Sequence, residues 1–471
     1  MRVCFVQKQA FPYFGVMSLA GSLKSAGIES DSLIANLEED LIGRLSASAP
    51  DLIAFSVLSM EHAWLEKTAA EARAALPDIP IVVGGIHAIL YPEAILSLPA
   101  VDYVCTGEGE VTLPLLCRVL RDGGDVGAIR GIGHHAGGRP VLNEREEPIA
   151  DVGEFREDRT VYYRRYATLK SDEQKQFIAS RGCPYECAFC FNRQLHALFP
   201  GQGNRVRMKR PAVLIEEIEA VRSISPVGAI FFADDLFASD KGWLRDFVPL
   251  YKERIGIPFM CITRADRMDE ETAALLKEAG CHTVSFGIES GRERIRREIL
   301  KKTIGDASII RCAEALHRNG IRIQTSNMFC LPDETLEDAF ETVRLNIRIG
   351  ADFVYTPLFM PFPGTELAAY CVAHGYLPAD FGLRHLPQSF LAHSILDHPD
   401  RTRIENLQRI AFFLVRFPGL RRIAEVLVRR VTWPWLYAPF LYLGTVLRYR
   451  AERGLSWWGA LRFLWRFRRS V

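Results

Sequence analysis

Three cysteines, Cys183, Cys187 and Cys190, stand close together in the run Ser180-Arg-Gly-Cys-Pro-Tyr-Glu-Cys-Ala-Phe-Cys-Phe191. Three thiolates on one short loop form a soft donor set suited to an iron–sulfur cluster or to zinc. A structural zinc ion normally takes a fourth Cys or His. His196 could complete a Cys3His site, whereas a cluster would keep one metal corner free of protein sulfur. Downstream, Asp234 and Asp235 are adjacent carboxylates, and Asp235 could equally cap a helix. Arg264 offers a cation for a carboxylate, or one half of an ordinary ion pair. Lys301 and Lys302 read as a solvated helix end. The other eight cysteines (eleven in all) are scattered among apolar neighbours and read as buried small hydrophobes. The chain opens MRVCFVQ, a strand pattern rather than a signal peptide. A cytoplasmic chain without disulfides is the expectation, which favours a metal site for the tight trio.

The elements that must position these groups are legible in outline. A chain of 471 residues, 48% hydrophobic and 24% charged, should fold as two or three globular domains. Residues 1–130 alternate apolar strands (Arg2–Val6, Leu52–Val57, Ile81–Val83, Val101–Cys105) with helices (Met17–Ala26, His62–Ala75). That pattern predicts a parallel sheet covered on both faces, with ligands at the carboxyl ends of the strands. Residues 131–175 read as a polar linker holding one hairpin. Six βα units then follow over 176–374, their strands at Phe177–Ala179, Ala229–Ala233, Phe259–Thr263, Thr283–Gly287, Ile321–Met328 and Phe353–Phe359. Six units suit a partial (β/α)6 barrel. Residues 375–471 read as a helical region.

The cysteine loop, placed directly after the first strand of that series, resembles the signature of the radical S-adenosylmethionine superfamily, C-x3-C-x-aromatic-C, with Phe189 in the aromatic slot. The resemblance implies a [4Fe–4S] cluster held by the three cysteines. Its open iron would take the amino and carboxylate groups of S-adenosylmethionine, and one-electron reduction would yield a 5′-deoxyadenosyl radical able to abstract hydrogen from an unactivated carbon. By the same resemblance Asp234 and Asp235 lie where the ammonium of S-adenosylmethionine is received. Arg264 lies near its carboxylate, and Glu289 and Ser290, in Gly287-Ile-Glu-Ser-Gly291, belong to a turn contacting ribose and methionine. A one-electron donor such as flavodoxin or ferredoxin is implied as partner. No protein nucleophile is needed, and no catalytic side chain is assigned.

A doubly wound (Rossmann-like) domain before such a barrel resembles the cobalamin-binding class of these enzymes, whose best-known activity is methyl transfer. Ser56-Val-Leu58 is similar to the turn beside the dimethylbenzimidazole tail. Gly84 and Gly85 would let a nucleotide loop approach the backbone. The segment Gln7–Gly15, QKQAFPYFG, lacks the cobalt-ligating histidine motif, and His62 and His87 do not occupy its slot. The fold expected is thus α/β: a cobalamin-binding domain, a partial radical S-adenosylmethionine barrel and a helical C-terminal region.

The net charge of +1 conceals an asymmetry. Residues 401–471 hold fifteen arginines and no lysine against three glutamates, a net of +12, which leaves about −11 for the first 400. An acidic body argues against nucleic acid as a partner. The uncharged stretch from Val431 to Leu447 is shorter than a membrane span and carries Pro434 and Pro439. Its aromatic residues, interleaved with arginine, suit either peripheral attachment of 401–471 to the inner face of a membrane, or a lid packed on the barrel with its arginines solvated. The expected function is C-methylation of an unactivated carbon in a hydrophobic, lipid-like or small-molecule substrate. One S-adenosylmethionine would methylate cobalamin and a second would supply the radical. The alternatives are a cyclase or C–C coupling enzyme with the same cofactors and, more distantly, a non-catalytic zinc-binding protein.

Overall fold

The uniformly apolar runs become parallel strands in the computed structural model, which describes residues 1–200, 205–453 and 457–458. The described residues form two compact units, one of Met1–Asp172 with Ala220–Pro226, the other of Glu173–Glu219 with those from Val227 onward.

In the first unit, strands β1 (Arg2–Gln7), β2 (Glu29–Ile34), β3 (Leu52–Ser56), β4 (Ile81–Gly84), β5 (Tyr103–Cys105), β6 (Ile132–Ala136) and β7 (Arg139–Leu142) make one sheet in the order β2-β1-β3-β4-β5-β6-β7. The first five are parallel, and β6 and β7 add an antiparallel hairpin. This strand order reverses direction at β1, so a crevice is expected at the carboxyl ends of β1 and β3. Val6, Phe55, Val83 and Val104 fill the core beneath helix His62–Ala75. Strand β2 escapes the sequence pattern because its buried positions include Ser30 and Ser32. The Ser32 side chain is tolerated because its Oγ donates to the carbonyl of Val161 at 2.8 Å.

The segment 131–175, expected as a linker, is largely folded into this unit. It supplies the hairpin β6–β7 and helices Thr160–Tyr163 and Ala167–Ser171. Buried tyrosines tie it down: the hydroxyl of Tyr166 accepts from the Ile34 amide at 2.7 Å and donates to Glu38 at 2.7 Å.

In the second unit, β8 (Gln174–Phe177), β11 (Ala229–Phe232), β12 (Phe259–Thr263), β13 (Cys281–Glu289), β14 (Arg322–Asn327) and β15 (Phe353–Tyr355) pair in chain order, all parallel. Between β8 and β11 a small antiparallel pair joins β9 (Ser180–Arg181) to β10 (Arg207–Met208). The six-stranded sheet does not close, since β8 and β15 are its two edges. Helices Arg401–Arg416, Arg421–Arg430 and Pro434–Arg453 complete the unit. Ile404, Leu407, Ala424, Val428 and Tyr437 bury themselves against Phe329, Phe340 and Val343. Their inner face therefore packs on the barrel. Pro434 opens the last helix, where its missing N–H costs nothing, and Pro439 is accommodated inside it. Among the described residues no helix is long and apolar enough to cross a membrane.

Candidate functional site

The cysteine loop leaves β9 at the carboxyl end of the second sheet. Its entry turns on Gly182, whose φ of +95° suits glycine. A Cβ there would stand 2.2 Å from the Arg205 carbonyl oxygen. Farther along, the Ala188 amide donates to Leu300 O at 2.9 Å, and the Leu367 amide donates to Ala188 O at 2.9 Å. Phe189 packs beside the cluster of Ala188, Ile295, Leu331 and Leu367. Its aromatic ring is therefore a wedge that fixes the loop. The other eight cysteines are buried, as expected.

As free thiols, Cys183 and Cys190 are held protonated. Burial raises both, pushing Cys190 up to about 12, and the nearby Asp235 carboxylate adds to the rise. Thiolates would form here only when a cationic centre displaces those protons. Arg264 provides positive charge beside them, with Nη1 3.9 Å from Cys187 Sγ. Its guanidinium lies 3.4 Å from the centre of the Tyr185 ring, and Asp266 grips it through two bonds of 3.0 and 3.1 Å. Arg264 thus forms an ion pair with Asp266 and sets its guanidinium beside Cys187.

The Nδ1 atom of His196 lies 3.7 Å from a Glu186 carboxylate oxygen. A single tetrahedral ion would draw its ligand atoms to within roughly 4 Å of one another. Among the described residues no three Cys, His, Asp or Glu side chains form such a group. Three cysteine sulfurs on one short loop fit a four-iron cluster with one iron open to another molecule.

The two aspartates separate in role. Asp234 is fully buried and clamps the start of the loop, accepting from the Ala179 amide at 2.9 and 3.1 Å and from Ser180 Oγ at 2.5 Å. These bonds make Asp234 a positioning residue for the loop. Asp235 is no helix cap, because Asp240 caps the next helix by accepting from the Trp243 amide at 2.8 Å. Solvent reaches Asp235, although surrounding protein raises its carboxyl pKa against the Asn192 amide, 3.1 Å away. Asn192 Nδ2 also lies 3.6 Å from Cys190 Sγ. Asp235 is the acidic group left open beside the cysteines.

Burial lifts the Asp234 carboxyl to about 6, above its ordinary 3.8. The folded state therefore holds this proton where the unfolded chain has lost it. The resulting stability is full below pH 3.8 and disappears as pH rises through 6. Lowering the pH from 7 to 5 should stabilise the wild type over Asp234→Asn by about 1 kcal/mol. Urea unfolding of both proteins at the two pH values measures that difference, and a constant gap would remove Asp234 as its source.

Glu289 ends β13 at a register shift against β14, with φ of +67°, unusual for a non-glycine residue. Lys302 holds it there. Lys302 Nζ donates to Glu289 Oε1 at 2.8 Å and to the Gly287 carbonyl at 2.7 Å, with both side chains at most 10% exposed. Ser290 is buried, and its carbonyl accepts from Arg296 Nη1 at 2.7 Å. Arg296 is itself fully buried and also donates to Ile304 O at 2.9 Å. Lys302, expected as a solvated helix end, and Arg296 are thus the structural supports of this turn. The available signal was a basic run close after Glu-Ser-Gly, which does not say which cation turns inward.

In the first unit, Ser56 and Leu58 lie where β3 ends, and Gly84 and Gly85 where β4 ends. Gly85 has φ of +91°, and a Cβ on it would fall 3.0 Å from both the amide nitrogen and the carbonyl oxygen of Val57. Its missing side chain is required by the neighbouring loop, whereas Gly84 has ordinary space. The Leu58 amide donates to Glu61 at 2.9 Å, and Gln9 Nε2 reaches the same carboxylate at 2.9 Å. The loop after β1 is folded on Gln7, whose amide nitrogen donates to the carbonyls of Gln9 and Phe11 at 2.8 and 2.7 Å. His62 and His87 face each other at 3.0 Å, and burial lowers His87 to about 3. The tight loop crossing at Gly85, at the carboxyl ends of β3 and β4, fits a nucleotide-bearing cofactor, and the two histidines are bonded to each other.

Comparison with known proteins agrees with this geometry. Residues 177–345 match the model of the Radical SAM superfamily, and residues 4–117 that of the B12 binding domain. An uncharacterised methyltransferase of Pyrococcus horikoshii is 28% identical over 70% of this chain and 71% of its own length. An anaerobic magnesium-protoporphyrin IX monomethyl ester cyclase of Rubrivivax gelatinosus is 26% identical over 76% of this chain and 66% of its own. A hopanoid C-3 methylase of Methylococcus capsulatus is 25% identical over 75% and 67%. The solved structure of OxsB, a cobalamin-dependent S-adenosylmethionine radical enzyme, covers 96% of this chain and 72% of its own with a TM-score of 0.68 at 15% identity, a likeness of fold.

Proposed function

We propose that this chain, whose residues 4–117 match the B12 binding domain and residues 177–345 the Radical SAM superfamily, is an enzyme that transfers a methyl group to an unactivated carbon of a hydrophobic, lipid-like substrate. Its cofactors are a [4Fe–4S] cluster, S-adenosylmethionine and cobalamin, and such enzymes draw electrons from an external reductant. When bound, these groups supply one-electron cleavage of a carbon–sulfur bond and carriage of a methyl group. The carrying observation is the loop Cys183–Cys190, three sulfur ligands without a fourth, at the carboxyl end of a six-stranded parallel sheet.

The protein's own contribution is placement. Cys183, Cys187 and Cys190 hold the cluster, with Arg264 offsetting sulfur charge at Cys187. Asp235 receives the ammonium group of S-adenosylmethionine as a solvent-reachable carboxylate beside the cysteines. Glu289 and Ser290, held by Lys302 and Arg296, form the turn that contacts its ribose and methionine portions. Ser56, Leu58 and the Gly84–Gly85 loop line the face that takes the cobalamin tail.

Methyl transfer is supported by the methyltransferase and hopanoid methylase relatives, and cyclisation, the second reading, by the cyclase relative. The lipid-like substrate is supported by the hopanoid methylase relative and by the apolar C-terminal surface. Oxygen-free turnover with methyl-labelled S-adenosylmethionine, hydroxocobalamin, a reductant and a lipid extract tests the reading. Label in a new lipid product is expected. Deoxyadenosine accompanied by an unlabelled product would replace methyl transfer with cyclisation or coupling.

A further inference from the structure

The C-terminal helices bury one face and leave apolar groups on the other. Among the described residues, thirteen of the eighteen exposed large apolar side chains fall between Phe417 and Trp458. Helix Arg421–Arg430 shows how this arises. Ala424 and Val428 turn inward to the core with Phe340 and Tyr437. Leu420, Ile423 and Leu427, spaced for one helical stripe, stay 44–62% exposed. Trp433 and Trp435 follow, stacked on each other at 6.0 Å and at least 60% exposed. A solvated face of a monomer does not ordinarily gather apolar groups in this way.

Charge identifies the partner. Arg422 and Arg430 are exposed among these side chains, within a region of net charge +12, while Arg429 pairs with Glu337. A second copy of the same surface would bring like charge against like charge. An anionic bilayer offers the complement, hydrocarbon for leucine and isoleucine, the interface for tryptophan, and phosphate for arginine. The arginine-rich helix Arg421–Arg430 has ten residues, too few to cross a bilayer.

We propose that the face carrying Leu420, Ile423, Leu427, Trp433 and Trp435 docks on the surface of an anionic lipid bilayer, with the helices lying in the interface. This face bears on the proposed lipid substrate, but its test needs no turnover, so either reading can fail alone.

The full chain is sedimented with vesicles of equal parts phosphatidylglycerol and phosphatidylcholine, and with phosphatidylcholine alone. Binding to the anionic vesicles is expected, weakening as salt rises. Ile423→Glu/Leu427→Glu should lower that affinity at least about tenfold, and Trp433→Ala/Trp435→Ala should lower it independently. Both substitutions fall on exposed positions, so an unchanged thermal transition certifies folding. Failure of the wild type to sediment overturns the proposal, as does equal sedimentation of folded variants. A concentration-dependent dimer in light scattering that the same variants abolish would overturn it in favour of self-association.

Discussion

Cys187→Ala protein, reconstituted with iron and sulfide without oxygen, will lack the visible absorption of a four-iron cluster and form no 5′-deoxyadenosine above background. Cys187 is buried within the loop, its sulfur facing Arg264 Nη1 at 3.9 Å. Two remaining thiols cannot take its place, because no other cysteine belongs to the loop and the eight outside it are buried elsewhere. The fold should survive, since the loop is also anchored through Ala188 to Leu300 and Leu367. Circular dichroism of native form together with absent iron is the combined readout. Full iron content and deoxyadenosine formation in this variant would mean that the cluster is held by other residues, and the assignment of the whole site would fall with it.

Lys302→Met should be the most damaging substitution for stability around the Glu289 turn, at about 3–5 kcal/mol, because it leaves a buried carboxylate without its cation. Methionine keeps much of the lysine stem's volume, so the loss is chiefly electrostatic. The two donations from Nζ, to Glu289 and to the Gly287 carbonyl, disappear together. The double variant Lys302→Met/Glu289→Gln should recover part of this loss, since a neutral amide costs less to bury than an unpaired charge. Chemical denaturation of wild type, both single variants and the double variant gives the coupling directly. A Lys302→Met protein as stable as the wild type would show that the pair does not hold the turn. The Glu289 backbone, with φ of +67°, depends on such outside support.

Much of this protein follows from local pattern. Uniformly apolar strands such as Leu52–Ser56 and Ile81–Gly84 announce parallel pairing because both their faces must be covered. Strand β2 does not announce itself, since Ser30 and Ser32 look solvent-facing until the 131–172 segment supplies their cover. The same segment looked like a linker because its binding groups are tyrosine hydroxyls, which carry no periodicity. In the site, the acidic pair Asp234-Asp235 was visible, but its division of labour was not. One carboxylate turns into the Ala179–Ser180 backbone and its neighbour stays open, a choice made by the path of the chain leaving β8 and β9.

The amino-acid sequence alone determined the donor chemistry: three sulfur atoms at short spacing, an aromatic residue between the last two, and the strand–helix series that presents them. Such features act through nearest neighbours and need no distant partner. Only the tertiary structure decided which charges turn inward to hold the fold. Lys302 meets Glu289 across thirteen residues, and Asp234 meets Ala179 across fifty-five. It also decided that the C-terminal helices face two ways, with Val428 in the core and Ile423 outside. Burial is a property of what packs around a side chain, and for these residues the packing partners lie far away along the chain.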